Sequence, residues 1–328
     1  MSFGSPLIDE AGTFMQARIL LSAADLDLCT ELERTPRTAR ELSGDLRLDE
    51  RALTRVLDCL VVAGILAKHD GRYLLTERGA PLSSLHPESI LPMIRHMSCM
   101  WANWSQLTET VRRGANPALT PVLGEKDKDV MNAFIGAMHV IGKGLSREIA
   151  DTLDLSSFKL LLDIGGGSGT YTMAFLEKNR GMRAVIFDFP GVLELARERL
   201  KDSGLADRVT LAPGDFYRDE LPGPCDLALL SAIIHQNSPQ ENTALFRKIS
   251  SALVPGGCVL IRDHIMDGSR TSPPAGAFFA INMLVATPAG DTYTFAEVKD
   301  MLERAGLADV QLLKTGPRMD CVVQARKS

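Results

Sequence analysis

At 328 residues the chain is too long for one ordinary hydrophobic core, so two domains are expected. Its 45% hydrophobic and 23% charged content is that of a folded globular protein, and a net charge of -5 argues against non-specific binding to nucleic acid, which needs a basic surface. No apolar run approaches the length of a membrane span, and the opening Met1-Ser-Phe-Gly-Ser-Pro lacks the basic-then-apolar order of a signal peptide. The six cysteines are scattered without a Cys-x-x-Cys pair; several, such as Cys29, Cys59 and Cys258, sit in apolar runs. They read as reduced core thiols, and the expected location is cytoplasmic.

Residues 11–30 have the spacing of a helix, with Phe14, Ala17, Ile19, Leu20 and Ala24 on one broad face. Thr38-Ala-Arg-Glu41 is a capping box that opens a short second helix. Asp49 caps a third, whose buried stripe is Leu53, Val56, Leu57 and Leu60 and which Gly64 closes. Residues 65–69 and 72–76 flank Asp70-Gly71, a two-residue hairpin signal. Three helices and a hairpin make a winged helix. Such a unit either binds DNA through its third helix or pairs subunits. The outward residues Asp49, Glu50, Arg51, Arg55 and Asp58 mix their charges, which favours pairing.

From Pro87 to about Ala150 the pattern is helical, interrupted at Gly114-Ala-Asn-Pro117 and over residues 120–128. Met93, Met97, Met100, Trp101 and Trp104 recur at helical spacing and read as core packing. Phe134, Met138 and His139 lie just before a glycine-rich stretch and are candidates to line its cleft. Beyond residue 150, strands are expected at 160–164, 184–189, 209–212, 227–234 and 258–263 with helices between them. A further helix is expected at 296–305, and residues 308–313 and 320–324 suit a terminal hairpin. That alternation predicts an α/β domain with a mostly parallel sheet covered on both faces.

The stretch Leu160-Leu-Leu-Asp-Ile-Gly-Gly-Gly-Ser-Gly-Thr170 reads as a buried strand, a glycine turn and the start of a helix. A dinucleotide fingerprint counted from Gly165 and Gly167 would need glycine or alanine where Thr170 stands, and no Gly-Lys-Ser/Thr follows. Asp163, two residues before the first glycine, would repel a pyrophosphate. A cationic ligand without phosphates, such as S-adenosylmethionine, suits the pattern better. Asp188, ending the second strand, is placed to accept from ribose hydroxyls. Asp215, in Pro213-Gly-Asp-Phe216, is placed to accept from an adenine amino group while Phe216 packs on the ring.

Asp-x-Gly-Gly-Gly-x-Gly, Phe187-Asp-Phe-Pro190 and Gly214-Asp-Phe216 resemble the S-adenosylmethionine-dependent methyltransferases. With the winged helix in front, the chain is most similar to the small-molecule O-methyltransferases that include the caffeate and acetylserotonin enzymes. The resemblance implies a class I methyltransferase fold, Rossmann-like with a seven-stranded, mostly parallel sheet, behind a mainly α winged-helix domain. It divides the chain into a dimerisation domain (1–86), a helical, substrate-lining region (87–150) and a catalytic domain (151–328). It also implies a homodimer, a small hydroxylated acceptor, and neither nucleic acid nor membrane as partner.

By the same resemblance His235, in Ile233-Ile-His-Gln-Asn-Ser-Pro239, matches the general base, although Gln236 and Asn237 depart from the family's His-Asp-Trp. Asp263 falls where an acid holds the histidine ring. A second bracketing acid is replaced by Thr292, with Asp291 beside it. Ser231 matches a position that faces the cofactor, and Phe279, Asn282, Met283, Met138 and His139 match acceptor-lining positions. Histidine suits the base role because its unperturbed pKa, about 6.5, lets it take a phenolic or enolic proton near neutrality. His235, Asp263, His264 and His139 could suggest a metal. Neighbours on a strand point to opposite faces, however, and no ligand spacing is present, so none is expected. Methylation of carbon or nitrogen, or non-methylating use of the same cofactor, stays open at this stage.

Overall fold

The computed structural model describes residues 4–119 and 128–328. The interruption expected over 120–128 therefore lies outside the described residues, except for Lys128, which opens a helix. The described chain falls into two compact units, one of residues 4–101 and 128–140, the other of 102–119 and 141–328.

The first unit begins with α1 (Pro6–Asp25) and α2 (Leu28–Arg34). The single helix expected over 11–30 is broken because Asp27 adopts φ 54°, its carboxylate accepting from the Thr30 hydroxyl at 2.5 Å. β1 (Arg37–Thr38), α3 (Ala39–Leu46), α4 (Glu50–Val62), β2 (Leu66–His69) and β3 (Arg72–Leu75) follow. The Thr38–Glu41 capping box and the Asp49 cap are both present. β2 and β3 pair antiparallel across Asp70-Gly71, and β1 adds a third strand that the sequence did not announce. Leu28, Leu42, Leu57, Leu60, Leu66 and Tyr73 form the core, each such buried side chain contributing roughly 1.5–3 kcal/mol.

Three expectations here need correction. Phe14 is 57% exposed, as are Leu7 at 76% and Ile8 at 53%, so α1 buries only its C-terminal part. Cys59 and Cys99 are exposed, not core, although all six cysteines are thiols. The Met/Trp stripe lies on α5 (Leu91–Trp104), where Met97 is 41% exposed and Leu91, His96 and Asn103 take the buried places. Equal spacing puts residues on one face; it does not say what covers that face. On α4 the outward charges are mixed, with Asp58 paired to Lys68 at 2.7 Å and Glu50 to Arg40 at 3.4 Å.

α6 (Leu107–Arg113) and α7 (Lys128–Thr152) lead into the α/β region. There β4 (Leu160–Ile164), α8 (Thr170–Lys178), β5 (Arg183–Asp188), α9 (Pro190–Lys201), β6 (Val209–Pro213) and β7 (Cys225–Ser231) alternate. They are followed by α10 (Pro239–Ala252), β8 (Leu253–Asp263), β9 (Ile265–Met266), α11 (Pro274–Ala286), β10 (Tyr293–Thr294), α12 (Phe295–Arg304), β11 (Leu307–Lys314) and β12 (Cys321–Lys327). The seven-stranded sheet has the order β11-β12-β8-β7-β4-β5-β6, and β12 runs antiparallel to the other six strands. Both faces are apolar, which is why the strands read as continuous aliphatic runs. Among the described residues no helix is long and apolar enough to cross a membrane.

Candidate active site

The chain leaves β4 outward through β5 and β6, then returns to pair β7 on β4's other edge. Such a reversal opens a crevice beyond the strand ends, where open α/β sheets bind ligands. Gly165 and Gly167 turn the backbone there with φ +66° and +58°. A Cβ at Gly165 would press on Ile233 Cδ1 at 2.8 Å, and one at Gly166 on the Asp163 carboxyl at 2.8 Å. The turn thus lies flat on its floor because it has no side chains.

That floor corrects one expectation. Asp163 is 1% exposed, and its Oδ2 accepts from the Thr172 hydroxyl at 2.5 Å. It lies against Gly166 and supports the turn from beneath. Burial, helped by the nearby Asp188 charge and opposed by the Thr172 bonds, pushes its carboxyl up to about 6.

Asp188, at the end of β5, is half-buried. Its Oδ2 accepts from Gly167 N–H at 2.8 Å and its Oδ1 from Phe189 N–H at 2.7 Å, leaving a further lone pair on each oxygen. Burial raises its pKa despite those two backbone bonds. Gly214 N–H donates to the Asp188 carbonyl at 3.0 Å, which ties the end of β6 to the same place. Asp215 follows, half-buried, with Oδ1 accepting from Tyr217 N–H at 2.8 Å. The buried Phe216 ring comes to 3.5 Å from the Cβ position of Gly165. A bare backbone turn, two half-buried carboxylates and an aromatic ring therefore meet. This set fits a ligand that offers ribose hydroxyls, an amino group and a flat base, as S-adenosylmethionine does.

β7 stops at Ser231 and does not extend to 234 as expected. Ala232 takes φ +59°, its N–H donating to Arg262 O at 2.8 Å, and Ile234–Gln236 form one 3-10 turn. His235 rides on that turn, 8% exposed, with Nδ1 2.9 Å from both oxygens of Asp263, the last residue of β8. Burial alone would push the Asp263 carboxyl up. The facing His235 ring and the Arg262 charge outweigh it and hold it below the usual carboxylate range. His235 Nε2 has no partner among the described residues. The Ser231 hydroxyl accepts from Arg262 Nε at 2.9 Å, and that guanidinium lies 4.9 Å over the Tyr171 ring.

Among the described residues no second acid is hydrogen-bonded to the His235 ring. Asp291 pairs with Arg270 at 3.3 Å while its N–H donates to the His235 carbonyl at 2.9 Å. Thr292 Oγ1 donates to Gly276 O at 3.3 Å. The turn is instead braced by residues that sequence reasoning did not assign. Asn237, 1% exposed, donates to Asn242 Oδ1 at 3.0 Å; Asn242 donates to Ile234 O at 2.8 Å. The Tyr293 hydroxyl donates to Asn237 O at 2.5 Å, and the Tyr217 hydroxyl donates to Asn237 Oδ1. The departure from His-Asp-Trp at Gln236-Asn237 was the available signal.

On the acceptor side, the Phe279 ring stands edge-on to His235 with centroids 4.8 Å apart. The Asn282 amide oxygen accepts from Trp104 Nε1 at 2.9 Å, and Met283 is buried. Met138 and His139 are half-buried on α7 in the first unit. Because β8 ends at Asp263, strand alternation no longer separates Asp263 from His264, and the His264 ring also packs on Phe279, at 5.2 Å. No group of three or more potential ligands that could hold a metal occurs among the described residues.

Comparison with known proteins identifies the family. The O-methyltransferase dimerisation domain matches residues 8–84, and the O-methyltransferase domain matches residues 104–308. The tetracenomycin polyketide synthesis 8-O-methyl transferase of Streptomyces glaucescens is 30% identical over 91% of this chain and 89% of its own. The L-tyrosine C(3)-methyltransferase of Streptomyces lavendulae is 28% identical over 88% of this chain and 82% of its own. The crystal structure of human N-acetylserotonin methyltransferase, solved with S-adenosylmethionine, superposes with a TM-score of 0.84 and 25% identity, covering 100% of this chain and 99% of that one. The chain therefore belongs to the S-adenosylmethionine-dependent O-methyltransferases that carry an N-terminal dimerisation domain.

Proposed function

We propose that the enzyme methylates a hydroxyl of an aromatic or polyketide-like small molecule, with His235 as general base and Asp263 as the acid that orients it. The observation that carries this reading is the buried His235 Nδ1–Asp263 contact with Nε2 left open. Bound S-adenosylmethionine supplies an electrophilic methyl on a cationic sulfur, and methyl transfer leaves a neutral thioether. What remains for the chain is to align the acceptor oxygen and take its proton. Asp263 fixes the Nδ1–H tautomer, so the hydroxyl proton passes to Nε2 and the resulting imidazolium is stabilised by the carboxylate. Asp188 would hold the ribose, and Asp215 and Phe216 the adenine; Asp163 would keep the glycine turn in place from below.

A polyketide-like acceptor is suggested by the Streptomyces glaucescens relative and by the apolar ring that Phe279 presents beside the base. The reading includes a cytosolic location, which free thiols suit, and a homodimer, supported by the match to the dimerisation domain and by the exposed Leu7, Ile8 and Phe14 on α1. Purified protein, methyl-labelled S-adenosylmethionine and a panel of hydroxylated aromatics test it, with the label located by mass spectrometry and NMR. Label on oxygen is expected; label on carbon or nitrogen, as the tyrosine relative's name describes for carbon, overturns the assignment of the reaction.

A further inference from the structure

Beside the His235–Asp263 pair lies a second buried imidazole, His264, 6% exposed. Its backbone N–H donates to Asp263 Oδ1 at 2.8 Å, an oxygen that also holds His235. Its ring packs 5.2 Å from Phe279, which stands 4.8 Å from His235. Two imidazoles thus border one aromatic ring and are tied to one carboxylate.

Neither ring nitrogen of His264 has a hydrogen-bond partner among the described residues. Nδ1 is sealed from solvent, 3.5 Å from the Cβ position of Gly276, while Nε2 is not sealed. A buried N–H without an acceptor is rarer and costlier than a bare lone pair, so the ring proton belongs on Nε2. Burial, with the His235 and Arg262 charges, lowers the pKa of His264 against the pull of Asp263. The ring is therefore a neutral donor, tied through its backbone to Asp263 and packed on Phe279, with Nε2–H as the edge that is not sealed.

We propose that His264 is a specificity-determining residue whose Nε2–H donates to a second oxygen of the acceptor, a carbonyl or further hydroxyl beside the one that is methylated. This rests on the O-methyl transfer reading and narrows its substrates to aryl acceptors bearing two oxygens. A site built to donate to a second oxygen favours an acceptor that has one over its analogue that lacks it.

Two measurements test this. In protein carrying 15N-labelled histidine, the His264 resonances should show a protonated Nε2 and a bare Nδ1 at pH 7; the opposite tautomer or an imidazolium would overturn the proposal. With S-adenosylhomocysteine bound, calorimetry should find 2,3-dihydroxynaphthalene bound about tenfold more tightly than 2-naphthol. That preference should vanish in His264→Phe, which keeps the ring packing, and partly return in His264→Gln, which restores an N–H near the Nε2 position. No preference in the wild type, or an unchanged preference in His264→Phe, sinks the proposal. Label transfer to oxygen with no such preference would defeat this inference alone. A His264-dependent preference with label found only on carbon or nitrogen would defeat the parent reading instead.

Discussion

His235 Nδ1 sits 2.9 Å from both carboxylate oxygens of Asp263, and both side chains are buried at the ends of adjacent parallel strands. Among the described residues Asp263 is the acid hydrogen-bonded to that ring, so on the proposed mechanism it sets the tautomer. His235→Ala should lower kcat by roughly 10²–10⁴-fold with S-adenosylhomocysteine affinity nearly unchanged, read by steady-state kinetics and calorimetry. Asp263→Asn should lose a comparable factor, because an amide tolerates the wrong tautomer. Turnover within twofold of wild type in either variant would remove the base assignment. Asp263 also has a folded pKa below its unfolded value of about 3.9. Its contribution to stability is therefore present above about pH 4 and fades as the pH falls through the folded value. Asp263→Asn should be less destabilised than the wild type on acidification in that range.

Asp188 joins the glycine turn to the second strand through Gly167 N–H and keeps lone pairs free for a ligand. Asp188→Asn should weaken S-adenosylhomocysteine binding by about 10- to 100-fold, the range for loss of charge-assisted hydrogen bonds. Phe216→Ala should cost about tenfold by removing a stacking surface next to Gly165. Calorimetry on the folded variants decides both; affinities equal to wild type would move the nucleoside elsewhere.

The parts of the fold that were legible in the sequence are those where local pattern and burial agree. Residues 160–164 are aliphatic because β4 is covered on both faces, and Asp70-Gly71 sits between short strands because the turn demands those residues. The His235–Asp263 pairing was legible through the family resemblance, and the parallel pairing of β7 with β8 brings the two side chains together. What was not legible depends on what lies across a gap. Ala232 gives no sign of its positive φ, so Ile233 and Ile234 read as strand when they are a turn. Asp163 reads as facing a ligand until the turn is seen folded over it. The Asn237 brace involves residues up to 56 positions apart, at Tyr293, which no local pattern reports.

The brace itself predicts a measurable effect. Tyr293→Phe removes the hydroxyl that donates to Asn237 O, a bond of 2.5 Å inside the protein, and leaves that carbonyl short of a partner. Such a loss costs about 1–3 kcal/mol, enough to lower Tm by several degrees. Because Asn237 adjoins the turn that carries the base, kcat should also drop about tenfold while KM and cofactor affinity stay close to wild type. A Tm shift without any change in kcat would confine the brace to stability.

Asp163 predicts the opposite pH dependence from Asp263. Its folded pKa, about 6, lies above the unfolded value of about 3.9, so folding takes up a proton between those values. Stability from this group is full below about pH 4 and is lost as the pH rises through about 6. The neutral isostere Asp163→Asn keeps an oxygen to accept from Thr172 Oγ1 but carries no charge to desolvate. Relative to wild type it should gain stability as the pH is raised from 4 to 7, by on the order of 2 kcal/mol. Denaturant unfolding of both proteins at pH 4, 5, 6 and 7 measures the difference. A gap that stays constant across the series would mean that Asp163 remains ionised beneath the turn, and that the turn is held by charge and not by shape.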